Sequence, residues 1–334
     1  MKDLVPPPTP ERGSTVAIVC PSAPALARFP HRAERGIAYL EELGFKVKLM
    51  PNTSLATGWT AGSGQQRAAD INAAFADPEV SMVLAAIGGN HSAQVLPNLD
   101  YEVIRSNPKV FQGYSDITCL HWALFKHVGL QTFYGPALVA ELAEYPEVFG
   151  YTEDWMKRAW NRERLTFEPA SEWTDEFLNW LEKKDLKRPR AMRPSQGWVC
   201  IREGSAEGFL LGGCLETIMW HVRGTDIWSE PDGAIFFVET SEEAPSPAHV
   251  DAYFTTLELT GVFDRISGLV VGRPAGYTDD LRSAMHEAVA RRTEASGIPV
   301  IADVDIGHTD PMLTLPFGGR ARLDAGALSL EVLP

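Results

Sequence analysis

The sequence predicts an α/β protein with an N-terminal doubly wound, mostly parallel sheet and a second α/β module after it. From Thr15 onward, short β-rich runs alternate with single amphipathic helices. This order is typical of parallel strands joined by right-handed crossovers. The chain has 334 residues, too many for one ordinary hydrophobic core, so two domains are expected.

The N-terminal domain, predicted over residues 1–150, has four strands with helices between them. The predicted strands are TVAIVC (15–20), KVKLM (46–50), SMVLAAI (81–87) and residues 109–112. The predicted helices are residues 31–43, 67–75 and 117 to about 127. SMVLAAI is apolar almost throughout, which indicates a strand buried on both faces. Ligands of such sheets bind beyond the carboxyl ends of the strands, so chemistry is expected there.

Residues 151–205 differ in character and are predicted to form a linker with an inserted arm. They hold five tryptophans among many charges, including the basic run KKDLKRPRAMRP. The C-terminal domain, predicted over residues 206–334, has strands at 234–239, 266–271 and 299–304. Its tail alternates apolar and polar residues around glycine turns, which predicts antiparallel hairpins.

Composition narrows the class of protein. The formal net charge of −14 argues against a nucleic-acid partner. No run approaches the roughly 20 apolar residues of a membrane-spanning helix, and MKDLVPPPTPERGS lacks the apolar core of a signal peptide. Four cysteines stand apart without zinc-like spacing. We therefore expect a cytoplasmic protein with reduced thiols, no membrane partner and no metal.

Ser115 is the first candidate for chemistry. It lies in Gly113-Tyr114-Ser115-Asp116, between a predicted strand and the helix that starts near residue 117. A serine on a sharp strand-to-helix turn exposes its hydroxyl, and the next backbone N–H points to where an oxyanion would form. An ordinary helix cap explains the same residues equally well, because the G-x-S-x-G motif is incomplete.

A double glycine, Gly88-Gly89, follows the buried strand SMVLAAI. Two glycines let backbone N–H groups approach a ligand closely, although most such pairs are only tight turns. The N–H groups of Gly89 and Asp116 are predicted to form an oxyanion hole.

Glu239 and His308 are the candidate partners of a nucleophilic serine. Glu239 ends the strand AIFFVE, and His308 lies in a loop after the strand at 299–304. A serine nucleophile needs a base, and the base needs a group that fixes its tautomer. A lone loop histidine is usually unremarkable, and no HxxxH or HxH pair indicates a metal site.

The chain resembles the LD-carboxypeptidase and microcin C immunity peptidase family of serine peptidases from about Thr15 to its C-terminus. The matching blocks are VAIVCPSAP (16–24), AAIGGN, LPNLDYEVIRSNPKVFQGYSDIT (96–118), LLGGCL (210–215), FFVETSEE (236–243), GVFDRISGLVVGRP (261–274) and GHTDPMLTLPFG (307–318). Each block alone is a weak signal, but their order along the whole chain is a strong one.

The resemblance implies a role for each candidate residue. Ser115 would be the nucleophile, His308 the general base and Glu239 the acid that orients it, with Gly89 and Asp116 at the oxyanion. It also implies a smaller C-terminal β/α domain, a site between the domains, a homodimer and no cofactor.

The arm and two departures from the family pattern bear on the substrate. SEWTDEF (171–177) is similar to the arm of the microcin-immunity branch, where an aromatic side chain stacks on a nucleobase. Trp173 and Trp180 are the candidates here, with packing as the alternative. The family commonly has GGNL where this chain has Cys214, and the immunity branch tends to have lysine where it has Glu243. Both changes would weaken the binding of a phosphate-like group.

Three functions follow from these patterns. The first is an amidohydrolase that separates an aminoacyl or peptidyl group from a nucleotide-like moiety. The second is an LD-carboxypeptidase that acts on cell-wall tetrapeptides. The third is a non-catalytic protein that closes two domains on a small ligand.

Overall fold

The computed structural model describes residues 4–333. Their strands are, in chain order, β1 (Thr15–Val19), β2 (Lys46–Leu49), β3 (Val80–Ala85), β4 (Val110–Gly113), β5 (Thr132–Tyr134), β6 (Leu165–Phe167), β7 (Glu172–Trp173), β8 (Arg193–Pro194), β9 (Val199–Arg202), β10 (Ser205–Cys214), β11 (Ile235–Glu239), β12 (Gly268–Gly272), β13 (Val300–Val304), β14 (Leu315–Phe317), β15 (Arg320–Asp324) and β16 (Ser329–Val332).

The α-helices of the same residues lie mostly between these strands. They are α1 (Ala25–Arg28), α2 (Pro30–Glu42), α3 (Gly64–Ala76), α4 (Tyr101–Ser106), α5 (Thr118–Ala123), α6 (Gly150–Trp160), α7 (Leu215–Thr217), α8 (Pro247–Leu259), α9 (Val262–Arg265) and α10 (Asp279–Arg292). Short 3₁₀ segments span Ser92–Asn98, Ser115–Ile117, Glu141–Ala143 and Lys184–Leu186, and π-helical turns span Leu124–Val128 and Ile218–Val222.

The first sheet has the strand order β14-β5-β4-β3-β1-β2. Strands β1 to β5 are parallel, and β14 joins β5 antiparallel. Strand β3 is almost fully buried, as its apolar sequence predicts. The doubly wound N-terminal domain is thus confirmed.

The second sheet has the order β6-β16-β15-β10-β11-β12-β13-β9. Its centre, β10 to β13, is parallel, and β15 and β16 form an antiparallel hairpin beside it. The predicted C-terminal β/α fold and the hairpin in the tail are therefore confirmed. The segment 151–205 contributes β6 and β9 to this sheet, which its charged sequence does not reveal.

Helix ends follow the capping chemistry of the sequence. Ser63 and Gln66 form a reciprocal capping box at the start of α3. Thr278 caps α10, which has acidic residues in its first turn and arginines in its last. Both charge placements complement the helix dipole.

The two sheets share one large hydrophobic core. Trp122, Phe237 and Phe317 lie in it, and the indole N–H of Trp122 donates to the carbonyl of Gly212, which joins α5 to β10. The carboxyl ends of β4 and β11 consequently come close together. In the part of the chain that the structure describes, no helix is long and apolar enough to cross a membrane.

Candidate active site

Ser115 lies on a sharp turn between β4 and α5. Its backbone φ is +62°, a left-handed conformation that few residues other than glycine adopt. Such strain clusters at functional sites, and it is characteristic of the turn that exposes a nucleophilic serine. The hydroxyl contacts His308 and makes no capping hydrogen bond to α5. The geometry therefore favours the nucleophile over the helix cap.

Ser115, His308 and Glu239 form one chain of hydrogen-bonding contacts. Oγ of Ser115 lies 3.0 Å from Nε2 of His308, and Nδ1 of His308 lies 2.7 Å from Oε2 of Glu239. The imidazole is 6% exposed and the Glu239 side chain 0%. Buried contacts of this length fix the orientation of the ring and leave Nε2 directed at the serine.

The loop that carries His308 is held from two sides. Gly307 has a φ of +92°, and a Cβ there would lie 2.2 Å from Oε2 of Glu239, so a side chain cannot be accommodated. On the other side, the backbone of Asp310 exchanges two hydrogen bonds with Thr174, at 2.7 and 2.9 Å. The side chain of Arg190 pairs with Asp310 at 2.8 Å. The predicted arm thus supports the histidine loop directly.

Tyr134 is a member of the site that sequence reasoning missed. Its hydroxyl donates to Oε1 of Glu239 at 2.5 Å and accepts the backbone N–H of Ser115 at 3.1 Å. Burial, and then the charge of Glu239, raise the pKa of Tyr134 well above its usual range, which keeps the hydroxyl protonated. The residue ends β5 beside Gly113. The signal in the sequence is a tyrosine at the end of a strand that lies beside the strand preceding Ser115.

Gly89 and Asp116, the predicted oxyanion-hole residues, both lie near Ser115, because Asp116 follows it in the chain and Gly88, next to Gly89, packs against it. Gly89 has a φ of +137° and lines the same small cavity as Ser115. The Asp116 carboxylate accepts the backbone N–H groups of His91 and Ser92, at 2.8 and 2.7 Å, and thereby ties the glycine loop to the serine turn. The N–H of Ser115 is used by Tyr134, which leaves the N–H of Asp116 as the candidate donor on this side.

A cavity of about 60 Å³ opens beside Ser115. Cys214 and Glu243, both predicted to contact substrate, line it together with Glu216 and Glu242. The carboxylate of Glu216 accepts the backbone N–H and the hydroxyl of Ser241, at 3.0 and 2.7 Å. Burial first, and then Glu239, raise the pKa of Cys214 well above its usual range, so the thiol is neutral.

Glu242 makes a second carboxylate contact to the histidine. Its Oε2 lies 3.1 Å from Nε2 of His308, although the Glu242 side chain is 74% exposed. Burial alone would lower the pKa of His308, but the charges of Glu239, Glu242 and Glu216 raise it to about 10. The contact with Glu242 and the charge of its carboxylate therefore favour the protonated form of the imidazole.

Trp173 and Trp180 lie away from this cavity. Trp173 is 7% exposed, and the guanidinium groups of Arg193 and Arg273 lie over its ring at 4.0 and 4.9 Å from the centroid. It lines a separate cavity of about 380 Å³. Trp180 packs edge-on against Phe29, with Arg32 over its ring at 4.1 Å.

His121 and the cysteines have the surroundings of structural residues. His121 is buried, contacts Thr132 and the carbonyl of Gly113, and has its pKa lowered by burial to about 4. The four cysteines are unpaired. Within residues 4–333, no group of three or more His, Cys, Asp or Glu side chains is placed to hold a metal ion.

This fold and this strand-end site define the class of protein. Residues 16–135 match the model of the LD-carboxypeptidase N-terminal domain, and residues 207–323 match that of the C-terminal domain. The chain belongs to the LD-carboxypeptidase family of serine peptidases.

Individual proteins are similar to this chain along nearly its whole length. The microcin C7 self-immunity protein MccF of Escherichia coli is 32% identical over 93% of this chain and 91% of its own. A putative carboxypeptidase of Vibrio cholerae is 33% identical over 93% of this chain and 92% of its own. A solved structure of MccF in complex with glutamyl sulfamoyl guanosine has a TM-score of 0.89 at 30% identity, with 98% of both chains covered.

Proposed function

We propose that the protein is a serine amidohydrolase that uses Ser115, His308 and Glu239 to release an aminoacyl or peptidyl group from a nucleotide-like moiety. The observation that carries the proposal is the buried chain of contacts from the strained Ser115 through His308 to Glu239. An ordinary capping serine needs neither the left-handed backbone nor the histidine.

The chemistry follows from the geometry. Neutral His308 accepts the Ser115 proton at Nε2 while Oγ attacks the carbonyl carbon of the substrate. Glu239 stabilises the imidazolium that forms, and the N–H groups of Gly89 and Asp116 stabilise the oxyanion. The histidine then gives its proton to the departing nitrogen, and water releases the acyl group from Ser115 by the reverse sequence.

Tyr134 has a positioning role in this scheme. Its hydroxyl joins the Glu239 carboxylate to the backbone of Ser115, so the acid and the nucleophile keep a fixed separation. Pre-organised contacts of this kind reduce the reorganisation needed in the transition state.

The nucleotide-like leaving group is supported by the solved complex of MccF with glutamyl sulfamoyl guanosine, a relative that matches this chain throughout. An LD-carboxypeptidase activity is the second candidate. The cavity beside Ser115 favours this second activity. It is lined by glutamates and a cysteine, whereas a phosphate group would need cations or amides.

Two measurements test the proposal. A fluorophosphonate probe should label Ser115, and labelling should disappear in Ser115→Ala. Mass spectrometry should then follow two substrates, an aminoacyl sulfamoyl adenosine and an L,D-tetrapeptide, because each candidate activity cleaves one of them faster. Absence of labelling together with tight binding of either compound would favour the non-catalytic alternative.

A further inference from the structure

The cavity beside Ser115 has the character of a site for a cation. Three carboxylates line it, from Glu216, Glu242 and Glu243, and its described lining holds no lysine or arginine. Trp220 also lines it and is 48% exposed, which leaves part of its ring open at the cavity. Carboxylates and the face of an indole ring both attract ammonium ions.

The three carboxylates differ in how free they are to bind a ligand. Glu216 is 4% exposed and is engaged by Ser241, so it is already committed to the protein. Glu242 and Glu243 are exposed on the loop after β11. A ligand in the cavity therefore meets the carboxylates of Glu242 and Glu243 first.

Glu242 and Ser115 compete for one nitrogen atom. A carboxylate only accepts hydrogen bonds, so its contact with Nε2 requires a proton on that nitrogen. A general base needs the opposite state, in which Nε2 has a lone pair for the Ser115 proton. The structure has both contacts, at 3.1 Å to Glu242 and 3.0 Å to Ser115, whereas catalysis requires Nε2 without the proton that the Glu242 contact needs.

We propose that Glu242 is a specificity-determining residue whose carboxylate pairs with an ammonium group next to the scissile amide, and so leaves Nε2 of His308 to Ser115. The inference rests on the proposed hydrolase function. The α-ammonium of an aminoacyl group is one carbon from the carbonyl that Ser115 attacks. Because Glu242 and Ser115 both reach Nε2, that ammonium falls within reach of the Glu242 carboxylate. A substrate with an acylated amine cannot make this pair.

The charges around His308 determine the direction of the pH effect. Glu239 at Nδ1, Glu242 at Nε2 and Glu216 on α7 favour the imidazolium, and the ring of Tyr114 packs against the imidazole at 4.9 Å. The rate should rise with pH as His308 loses its proton. Removal of the Glu242 charge lowers the pKa of His308, so the acid limb of the pH profile should move to lower pH.

The test compares two ligands, alanyl sulfamoyl adenosine with a free α-ammonium group and its N-acetyl derivative. Calorimetry on proteins that carry Ser115→Ala measures the affinity for each ligand without turnover. Mass spectrometry measures kcat/KM of the proteins that retain Ser115. We expect the free amine to be preferred by about fivefold, because the Glu242 side chain is 74% exposed and solvent screens its pair with the ammonium group. Glu242→Gln should bring the preference close to one and move the acid limb.

Glu243→Gln is the matched control, because it removes the same charge from the same cavity without touching His308. It should reduce the preference by a smaller factor and leave the acid limb in place. Glu102→Gln, 82% exposed and outside the cavity lining, should change neither quantity.

Equal affinity for the two ligands, or a preference that Glu242→Gln leaves intact, would overturn the role of Glu242. Such a result does not contradict the proposed hydrolase function, provided that either compound is cleaved and that Ser115→Ala abolishes cleavage. Conversely, an ammonium preference in binding without any cleavage supports the role of Glu242 and contradicts the hydrolase.

Discussion

The residues at the strand ends and the residues of the arm are held by different interactions. Ser115, Glu239 and Tyr134 follow or end strands in the interior of the two sheets, and their contacts with one another span 2.5 to 3.1 Å. In the arm, Trp173 is held by Arg193 of the arm and by the distant Arg273, and Arg190 pairs with the distant Asp310. Strand ends thus position the proposed catalytic groups, and the arm stabilises the loop that carries His308.

The largest expected effect lies in the strand-end group. Ser115→Ala and His308→Ala should each reduce kcat by about five to six orders of magnitude, and Glu239→Gln by about four, because a triad acts as a unit. Turnover of the best substrate measures this, with circular dichroism to show that the fold is retained. Near-normal turnover by Ser115→Ala would show that the strand-end residues do not carry out the reaction.

Tyr134→Phe should reduce kcat by about 10- to 100-fold, the range expected when a buried acceptor loses a hydrogen bond of about 1–3 kcal/mol. KM should change little, because Tyr134 is buried, its hydroxyl contacts Glu239 and Ser115, and it does not line the cavity beside Ser115.

Tyr114→Phe is the control for Tyr134. It also removes a buried tyrosine hydroxyl, but that hydroxyl donates to Glu141 at 2.6 Å, outside the triad. Its loss in kcat should be clearly smaller. Equal losses in the two variants would mean that the effect follows from removing any buried hydroxyl near the site, and not from the bridge between Glu239 and Ser115.

Trp173→Ala tests the arm. The side chain is buried under two guanidinium groups, so we expect the free energy of unfolding to fall by about 3 kcal/mol. Thr174 follows it and pairs with Asp310, so kcat should decrease by a similar factor for nucleotide and tetrapeptide substrates.

A nucleobase stacked on Trp173 would give a different result, a rise in KM of about 10- to 100-fold for nucleotide substrates only. Trp180→Ala is the parallel variant, since this half-buried ring carries the same sequence expectation. A selective rise in KM in either variant would assign that tryptophan to the substrate.

The same contrast explains what could be predicted from the sequence. Alternating strands and helices identified the parallel sheets, and strand ends identified Ser115 and Glu239, because both are local patterns. The antiparallel addition of β14 to β5 was not predictable, since Leu315–Phe317 is a short apolar run whose partner lies about 180 residues earlier. The contact between Trp173 and Arg273 was not predictable either, because the two residues are far apart in the sequence. Arg273, which lies over it, is itself held by Asp305 at 2.6 Å.

The smallest expected effect concerns Glu243. Its exposed carboxylate lines the cavity beside Ser115 and repels a phosphate-like group, and solvent screening limits the repulsion to about 1 kcal/mol or less. Glu243→Lys should therefore raise kcat/KM severalfold for a phosphoryl-linked aminoacyl nucleotide, and by less for an uncharged aminoacyl amide that has no phosphate-like group. Glu79→Lys changes the net charge equally at an exposed position outside the cavity lining, so it separates local from overall charge. Salt should reduce the difference between the two substrates, because exposed charges are screened over about 10 Å at 0.1 M. An equal gain on both substrates, or the same gain in Glu79→Lys, would show that Glu243 does not face the leaving group.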